Sequence, residues 1–171
     1  MKDHTESIQV DYDPALTSYE KLLEVFWKAH HPYSGGGWGG RQYLCALWYQ
    51  TDEEKQMAIQ SAKRLSEKSG SEVKTLIDKM TTWTNAEDYH QKYELRRNRE
   101  LVKLLNMNDD ELRESPLATR LNGFCGGRGG GMGGEAAMKV VNETDEVDQG
   151  KKEKMLKILE AGKGKRIITC G

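Results

Sequence analysis

Between the N-terminus and Asn98, strand-like and helix-like segments alternate, and this alternation constrains the fold more than any other feature. Ile8, Val10 and Tyr12 are apolar at every second position, which is the period of a half-buried strand. Residues 18–29 then place apolar side chains three or four positions apart, the period of an amphipathic helix. A chain that alternates in this way is expected to fold as a sheet with packed helices, in the α/β or α+β class.

Two more strand–helix pairs are predicted downstream. Residues 41–50 form an almost continuous apolar run, typical of a central strand covered on both faces. Residues 52–70 have acids at the start and basic residues near the end, as the helix dipole favours. Residues 71–80 predict the third strand and residues 86–98 the third helix, so the predicted order is strand, helix, strand, helix, strand, helix.

The chain changes in composition after these segments. Residues 123–134 hold eight glycines in twelve positions, and ordering so many glycines costs too much entropy for a packed element. From Glu135 onward the sequence is mostly polar, which indicates a disordered or loosely attached segment with one short helix at most. We therefore predict a folded domain over 1–122 and a Gly-rich flexible tail over 123–171.

The composition argues against several classes of function. The 171 residues contain 26 Lys and Arg against 27 Asp and Glu, so the net charge of −1 gives no electrostatic attraction to nucleic acid or to an anionic membrane. No apolar run approaches the roughly 20 residues that span a bilayer, and no signal peptide is recognisable. The expected partners therefore include no nucleic acid and no membrane, and the expected location is the cytoplasm.

Three cysteines, Cys45, Cys125 and Cys170, fit neither a disulfide framework nor a zinc pattern. In a cytosolic protein thiols stay reduced, so redox-active thiols and inert buried cysteines are the two alternatives. Cys45 lies inside the apolar run and is interpreted as an inert core residue. Cys125 lies beside glycines and is expected to be mobile and exposed. No third ligand joins His30 and His31, so no metal site is predicted.

The stretches that carry the predicted strands and helices are similar, in order and roughly in spacing, to signatures of the peptide methionine-S-sulfoxide reductase (MsrA) family. The resemblance covers residues 3–127. Its weakest part is LNGFCGG, which resembles the family's Gly-rich segment. The stronger stretches are DHTESIQVDYDP, SYEKLLEVFWKAHHP, RQYLCALWY and AEDYHQKY.

The resemblance implies an α+β fold with a mixed sheet, a ferredoxin-like two-layer sandwich that is N-terminally incomplete here. It also implies a thiol-dependent reduction of methionine-S-sulfoxide, free or in proteins, that repairs oxidative damage. In that chemistry a thiolate attacks the sulfoxide sulfur and becomes a sulfenic acid, which condenses with a downstream thiol. Thioredoxin or another dithiol then reduces the disulfide, and no bound cofactor is implied.

The resemblance assigns four candidate site residues, each with an alternative. Glu6 matches the family's proton donor or oxygen binder, and its alternative is a solvated carboxylate at a strand end. Tyr43 matches a phenol that donates to the sulfoxide oxygen, and its alternative is a core tyrosine of the central strand. Cys125 is a resolving thiol or an incidental loop cysteine. Cys170 is a second resolving thiol or an inert terminal cysteine.

The chain departs from the family pattern in two places. The family's nucleophile stands in a Gly-Cys-Phe-Trp motif upstream of the stretch that contains Glu6, and no such motif occurs in this sequence. The family commonly has an acid shortly before Gln-Tyr, whereas residues 34–40 contain none. By itself the chain is therefore expected to be weakly active or inactive. The alternative is a non-catalytic binding or interaction protein, whose exposed sheet edge would pair with another chain.

Overall fold

The computed structural model describes residues 5–35, 40–127 and 131–162. The chain divides into two compact units, Met1–Trp83 and Thr84–Gly171, and each unit has a hydrophobic core of its own. This boundary differs from the one predicted at 122/123, because residues on both sides of position 122 contribute to the second core. Within the described ranges, no helix has the length and apolarity needed to cross a membrane.

The described part of the first unit combines helices with a small sheet. β1 (Ala46–Tyr49) and β2 (Leu76–Lys79) run parallel, with Leu47 opposite Ile77, and the 18-residue helix α2 (Asp52–Ser69) supplies the long connection that parallel strands require. The combination is compatible with the predicted α+β class, but the described residues do not confirm a mixed sheet or a ferredoxin-like sandwich. The elements are α1 (Tyr19–Ala29), the 3-10 turn Arg41–Tyr43, β1 (Ala46–Tyr49), α2 (Asp52–Ser69) and β2 (Leu76–Lys79).

Local signals determine where the two helices begin and end. Ser18 is the N-cap of α1, and its side chain accepts a hydrogen bond from the backbone N–H of Lys21. α2 begins with a capping box, in which Thr51 and Glu54 each accept from the other's backbone N–H. α2 ends at Gly70, whose φ of 69° is left-handed and suits glycine.

The first core lies where the two helices meet the sheet. The indole Nε1 of Trp27 in α1 donates to the hydroxyl of Ser61 in α2 at 2.6 Å, so the largest core side chain has its polar atom bonded. The predicted central strand over 41–50 is only partly a strand, because its first half forms the 3-10 turn. The buried core residues are Leu23, Trp27, Leu47, Tyr49 and Ala58.

The strand predicted around residues 8–12 is wrong. These residues are assigned to no strand, and their alternating apolar side chains are exposed rather than half-buried: Ile8 by 88%, Val10 by 52% and Tyr12 by 39%. A strand needs a neighbouring strand to complete its hydrogen bonds. The described residues supply no such neighbour for this segment. The apolar residues of this segment recur with the two-residue period of a strand, but the period alone did not show whether another strand pairs with it.

The described part of the second unit is helical. The helix predicted over 86–98 is much shorter than expected. Lys92 has a left-handed φ of 54°, and within the predicted range the helix covers only the four residues Tyr93–Arg96. Apolar side chains from all six helices described in this unit meet in one core. The helices are α3 (Tyr93–Arg96), α4 (Arg99–Leu105), α5 (Asp109–Glu114), α6 (Pro116–Cys125), α7 (Glu135–Glu143) and α8 (Gln149–Ala161).

The disordered tail predicted after residue 134 is wrong over 135–161, where α7 and α8 are well formed. Val141 of α7 and the pair Met155 and Leu159 of α8 are 0% exposed. The pair is four residues apart, so one face of α8 enters the core. The mostly polar composition of this segment did not indicate the packing of α8, because a helix can join a core through a few apolar residues when they lie on one face.

Candidate functional site

Glu6 lies against the 3-10 turn that carries Tyr43. The backbone N–H of Glu6 donates to the carbonyl of Gln42 at 3.0 Å, and the Gln42 side-chain Nε2 donates to Glu6 Oε1 at 2.5 Å. One residue earlier, the hydroxyl of Thr5 donates to the carbonyl of Arg41 at 3.1 Å. The structure thus brings Glu6 next to the residue that directly precedes Tyr43.

A glycine sets the shape of this turn. Gly40 precedes it with a φ of 92°, a backbone conformation that residues with a Cβ rarely adopt. The turn is closed by a hydrogen bond from the N–H of Tyr43 to the carbonyl of Gly40 at 3.2 Å. Trp48 of β1 donates from Nε1 to the hydroxyl of Ser7 at 3.2 Å, so the segment after Glu6 is also attached.

Tyr43 is 52% exposed. The alternative that it is a core tyrosine of a central strand is therefore wrong, because the turn directs this position out of the core. Glu6 is exposed as well. Among the described residues, only one oxygen of the Glu6 side chain, Oε1, has a hydrogen-bond partner, which leaves Oε2 and the Tyr43 phenol available to hydrogen-bond a small polar ligand.

Cys125 is not the mobile, exposed loop residue that the sequence predicted. It is the last residue of α6 and only 2% exposed. Burial, with the negative charge of Glu94 nearby, raises the pKa of the Cys125 thiol to about 11. At neutral pH the thiol is therefore protonated, and its reaction as a thiolate requires α6 to open locally.

An open depression of about 440 Å³ lies beside Cys125. Glu94 and Arg97 form an ion pair at its rim, with 3.1 Å between Oε2 and Nη1. Met132 also lines the depression, and its sulfur accepts a weak hydrogen bond from the Asn98 amide at 3.8 Å. The mixed charges and the single thiol indicate no particular ligand.

Cys45 is a free thiol of intermediate exposure between the 3-10 turn and β1, so it is less buried than predicted. Cys170 lies outside the described residues, as does Trp38 in the glycine loop. In the ranges that the structure describes, no group of three or more His, Cys, Asp or Glu side chains is arranged to hold a metal ion.

The sequence analysis did not predict that Gln42 contacts Glu6. Its position next to Tyr43 in the stretch RQYLCALWY was the one available indication. A glutamine on a turn gives no pattern of its own, and its contact with Glu6 spans 36 positions of the chain.

The sequence of this chain is similar to those of known proteins. A family model described as "Peptide methionine sulfoxide reductase" matches residues 1–118. A protein from Arabidopsis thaliana named "Peptide methionine sulfoxide reductase A5" is 41% identical over 129 residues, which cover 72% of this chain and 50% of that protein. A Drosophila melanogaster protein named "Peptide methionine sulfoxide reductase" is 38% identical over 131 residues, covering 76% of this chain and 53% of that protein. The chain spans about half the length of these curated relatives.

Proposed function

Because the chain belongs to the peptide methionine sulfoxide reductase family, we propose that its first unit carries the oxygen-binding part of a site that reduces methionine-S-sulfoxide. Glu6 and Tyr43 are the two groups that bind the sulfoxide oxygen. The observation that carries this proposal is the pair of hydrogen bonds between Glu6 and Gln42, the neighbour of Tyr43. A carboxyl group and a phenol on adjoining segments can both donate to one acceptor oxygen.

The full reaction follows the thiol chemistry of the family. A thiolate attacks the sulfoxide sulfur, the sulfur–oxygen bond breaks, and the thiol sulfur takes up the oxygen as a sulfenic acid. Protons delivered to the sulfoxide oxygen assist this step, and in this proposal Glu6 and Tyr43 provide hydrogen bonds there. The substrate is methionine-S-sulfoxide, free or in proteins, and the product is methionine.

Recycling in this proposal uses a second thiol and an external dithiol such as thioredoxin, in the cytoplasm. Cys125 is the candidate resolving thiol, with Cys170 as the second candidate. Burial and a raised pKa make Cys125 unreactive in the closed second unit, so it can resolve a sulfenic acid only after α6 opens at its C-terminal end.

We further propose that these 171 residues alone reduce methionine sulfoxide weakly or not at all. None of the three cysteines stands in a Gly-Cys-Phe-Trp motif. The test is an assay with a methionine-S-sulfoxide peptide and dithiothreitol. Turnover equal to that of the full-length relatives would contradict this proposal, and loss of such turnover in Cys125→Ser would identify the thiol responsible.

Ligand binding tests the oxygen site independently of turnover. N-acetyl-methionine-S-sulfoxide methylamide is titrated into the chain labelled with ¹³C on Glu and Tyr side chains. The Glu6 and Tyr43 signals should shift with one dissociation constant. Glu6→Ala and Tyr43→Phe should each weaken binding, whereas Tyr89→Phe, an exposed tyrosine of the second unit, should not. Equal binding by all variants overturns the assignment.

A non-catalytic interaction protein is the second candidate. The exposed apolar side chains of Ile8 and Val10 favour it, because they lie in a segment that has no strand partner among the described residues and that could pair with a strand of another chain. Sedimentation of the chain over a range of concentrations tests this candidate. A monomer at every concentration, combined with sulfoxide-dependent shifts at Glu6, favours the reductase site.

A further inference from the structure

We propose that Gln42 is a positioning residue that determines which oxygen of the Glu6 carboxyl group carries the proton. Gln42 binds Oε1, and this leaves the proton on Oε2, which donates to the sulfoxide oxygen. The inference rests on the proposed oxygen site and adds to it a residue that does not touch the substrate.

The contact between Gln42 and Glu6 is made by two hydrogen bonds. Gln42 holds Glu6 twice, through its backbone carbonyl at 3.0 Å and through its side-chain Nε2 at 2.5 Å. Two hydrogen bonds from one residue fix both the backbone and the side-chain direction of Glu6. An exposed glutamate without such contacts would sample several rotamers.

The Gln42 amide makes the two oxygens of the Glu6 carboxyl group chemically different. An amide N–H only donates, so Glu6 Oε1 must be the acceptor in its contact with Gln42. In the neutral carboxyl group the hydrogen then belongs to Oε2. A sulfoxide oxygen accepts hydrogen bonds and cannot donate them, so it requires a donor such as Oε2–H. Gln42 therefore separates the two oxygens into one that is anchored and one that serves the ligand.

Tyr43 lies on the same turn as Gln42. Because Tyr43 directly follows Gln42 on the 3-10 turn, the same three-residue turn that anchors Glu6 also carries the backbone of Tyr43. Gly40, with its φ of 92°, and the bond from Tyr43 N to Gly40 O determine the direction of that turn. One local structure thus joins the backbone segments that carry the two donors.

The experiment measures the affinity for N-acetyl-methionine-S-sulfoxide methylamide by NMR. Gln42→Met keeps the length of the side chain and removes the donor, and it should raise Kd roughly fivefold, as expected for the loss of one partly solvated hydrogen bond. Gln60→Met is the matched control, because Gln60 is an exposed glutamine on α2, and its Kd should equal that of the unmodified chain.

Glu6→Gln separates positioning from a merely structural role. Its amide keeps an oxygen that can accept from Gln42 and replaces Oε2 by a permanent donor, so it should bind the sulfoxide at least as tightly as Glu6 does at neutral pH. Adding Gln42→Met to this variant should again raise Kd roughly fivefold. Loss of binding in Glu6→Gln alone, with Gln42 intact, overturns the assignment of the two oxygens.

The outcomes also distinguish this inference from the proposed function. If Glu6→Ala weakens binding but Gln42→Met does not, the oxygen site stands and the positioning role of Gln42 is wrong. If the unmodified chain gives no shifts at Glu6 or Tyr43, the proposed site is wrong, and the ligand role of Gln42 is wrong with it. The side-chain amide resonances of Gln42 report the contact itself, and they should move in Glu6→Ala without ligand.

Discussion

The hydroxyl of Ser115 donates a hydrogen bond to the carboxylate of Glu146, which lies 31 positions further along the chain. The other carboxylate oxygen accepts from the backbone N–H of Leu117 at 2.8 Å, while Ser115 Oγ accepts from the N–H of Ala118 at 2.9 Å. A negative charge is thereby placed at the N-terminus of α6, where the helix dipole favours it. The contact joins the α7–α8 connection to the helix that ends in Cys125.

Removing the Glu146 carboxylate should destabilise the second unit. Glu146→Ala leaves the N–H of Leu117 without this acceptor and is expected to lower the free energy of unfolding by roughly 1–3 kcal/mol. The chain has one phenylalanine in each unit, Phe26 and Phe124, so ¹⁹F-labelled phenylalanine reports the urea unfolding of each unit separately. Asp145→Ala, an exposed neighbour, is the control. Equal stability of the two variants contradicts the prediction.

The C-terminal helix should be an integral part of the second core. Leu159 is 0% exposed, so Leu159→Ala is expected to cost roughly 2–5 kcal/mol in the unfolding of the unit that contains Phe124. The adjacent Glu160 is exposed, and Glu160→Ala should leave the midpoint almost unchanged. If α8 were a loosely attached tail, as its composition suggested, the two substitutions would have the same small effect.

Cys125 should react slowly in the native protein. A pKa of about 11 leaves very little thiolate at neutral pH, so alkylation by iodoacetamide at about pH 7.5 is expected to be on the order of 100-fold slower than in urea. In a Cys170→Ser background, Cys45 is the internal comparison, because it is partly exposed. Mass spectrometry of the alkylated peptides measures both rates. Equal rates for Cys125 in buffer and in urea would contradict its burial.

The same pKa predicts how stability depends on pH. The folded state raises the pKa of Cys125 to about 11, whereas a free thiol has a pKa of about 8.5. The unfolded chain therefore loses its proton first as the pH rises. The stabilisation from the buried neutral thiol is complete below about pH 8.5 and is lost as the pH rises towards 11.

Urea unfolding at about pH 8 and about pH 10.5, followed at Phe124, measures this loss. Cys125→Ala should have a smaller decrease in stability over the interval than the unmodified chain. In the first unit, burial raises the pKa of Tyr19 to about 12, with Glu54 contributing, so the signal of Phe26 reports a separate loss at still higher pH. Identical pH dependence with and without the Cys125 thiol would rule out the linkage.

His30 should be held as one tautomer by two neighbours. Its Nδ1 lies 2.7 Å from the carbonyl oxygen of Phe26, which can only accept, so Nδ1 carries the hydrogen. In neutral His30, Nε2 is then an acceptor for the hydroxyl of Thr75 at 2.9 Å. Nitrogen-15 NMR should therefore find the Nδ1–H form. Thr75→Val should destabilise the first unit by about 1 kcal/mol, and Thr75→Ser, which keeps the hydroxyl, should cost less.

Several elements were predictable because their signals are local. The helix predicted over 52–70 was recognisable from its acids at the start and its basic residues near the end, and its observed bounds are Asp52–Ser69. Glu6 and Tyr43 were predicted as site residues through resemblance to a family and not through any local signal. The contact of Glu6 with Gln42 was not predictable, because a hydrogen bond across 36 positions depends on how the turn after Gly40 is oriented.

The sequence by itself determined the helices predicted over 18–29 and 52–70 and the family to which the chain belongs, because these depend on residue types at short spacing. Tertiary structure decided burial and pairing. Ile8 follows a strand pattern and is exposed, whereas Cys125 follows a loop composition and is buried. Burial is a property of what packs against a side chain, and for Cys125 this includes side chains far along the chain. The raised pKa of that thiol and the anchoring of Glu6 both arise at this level.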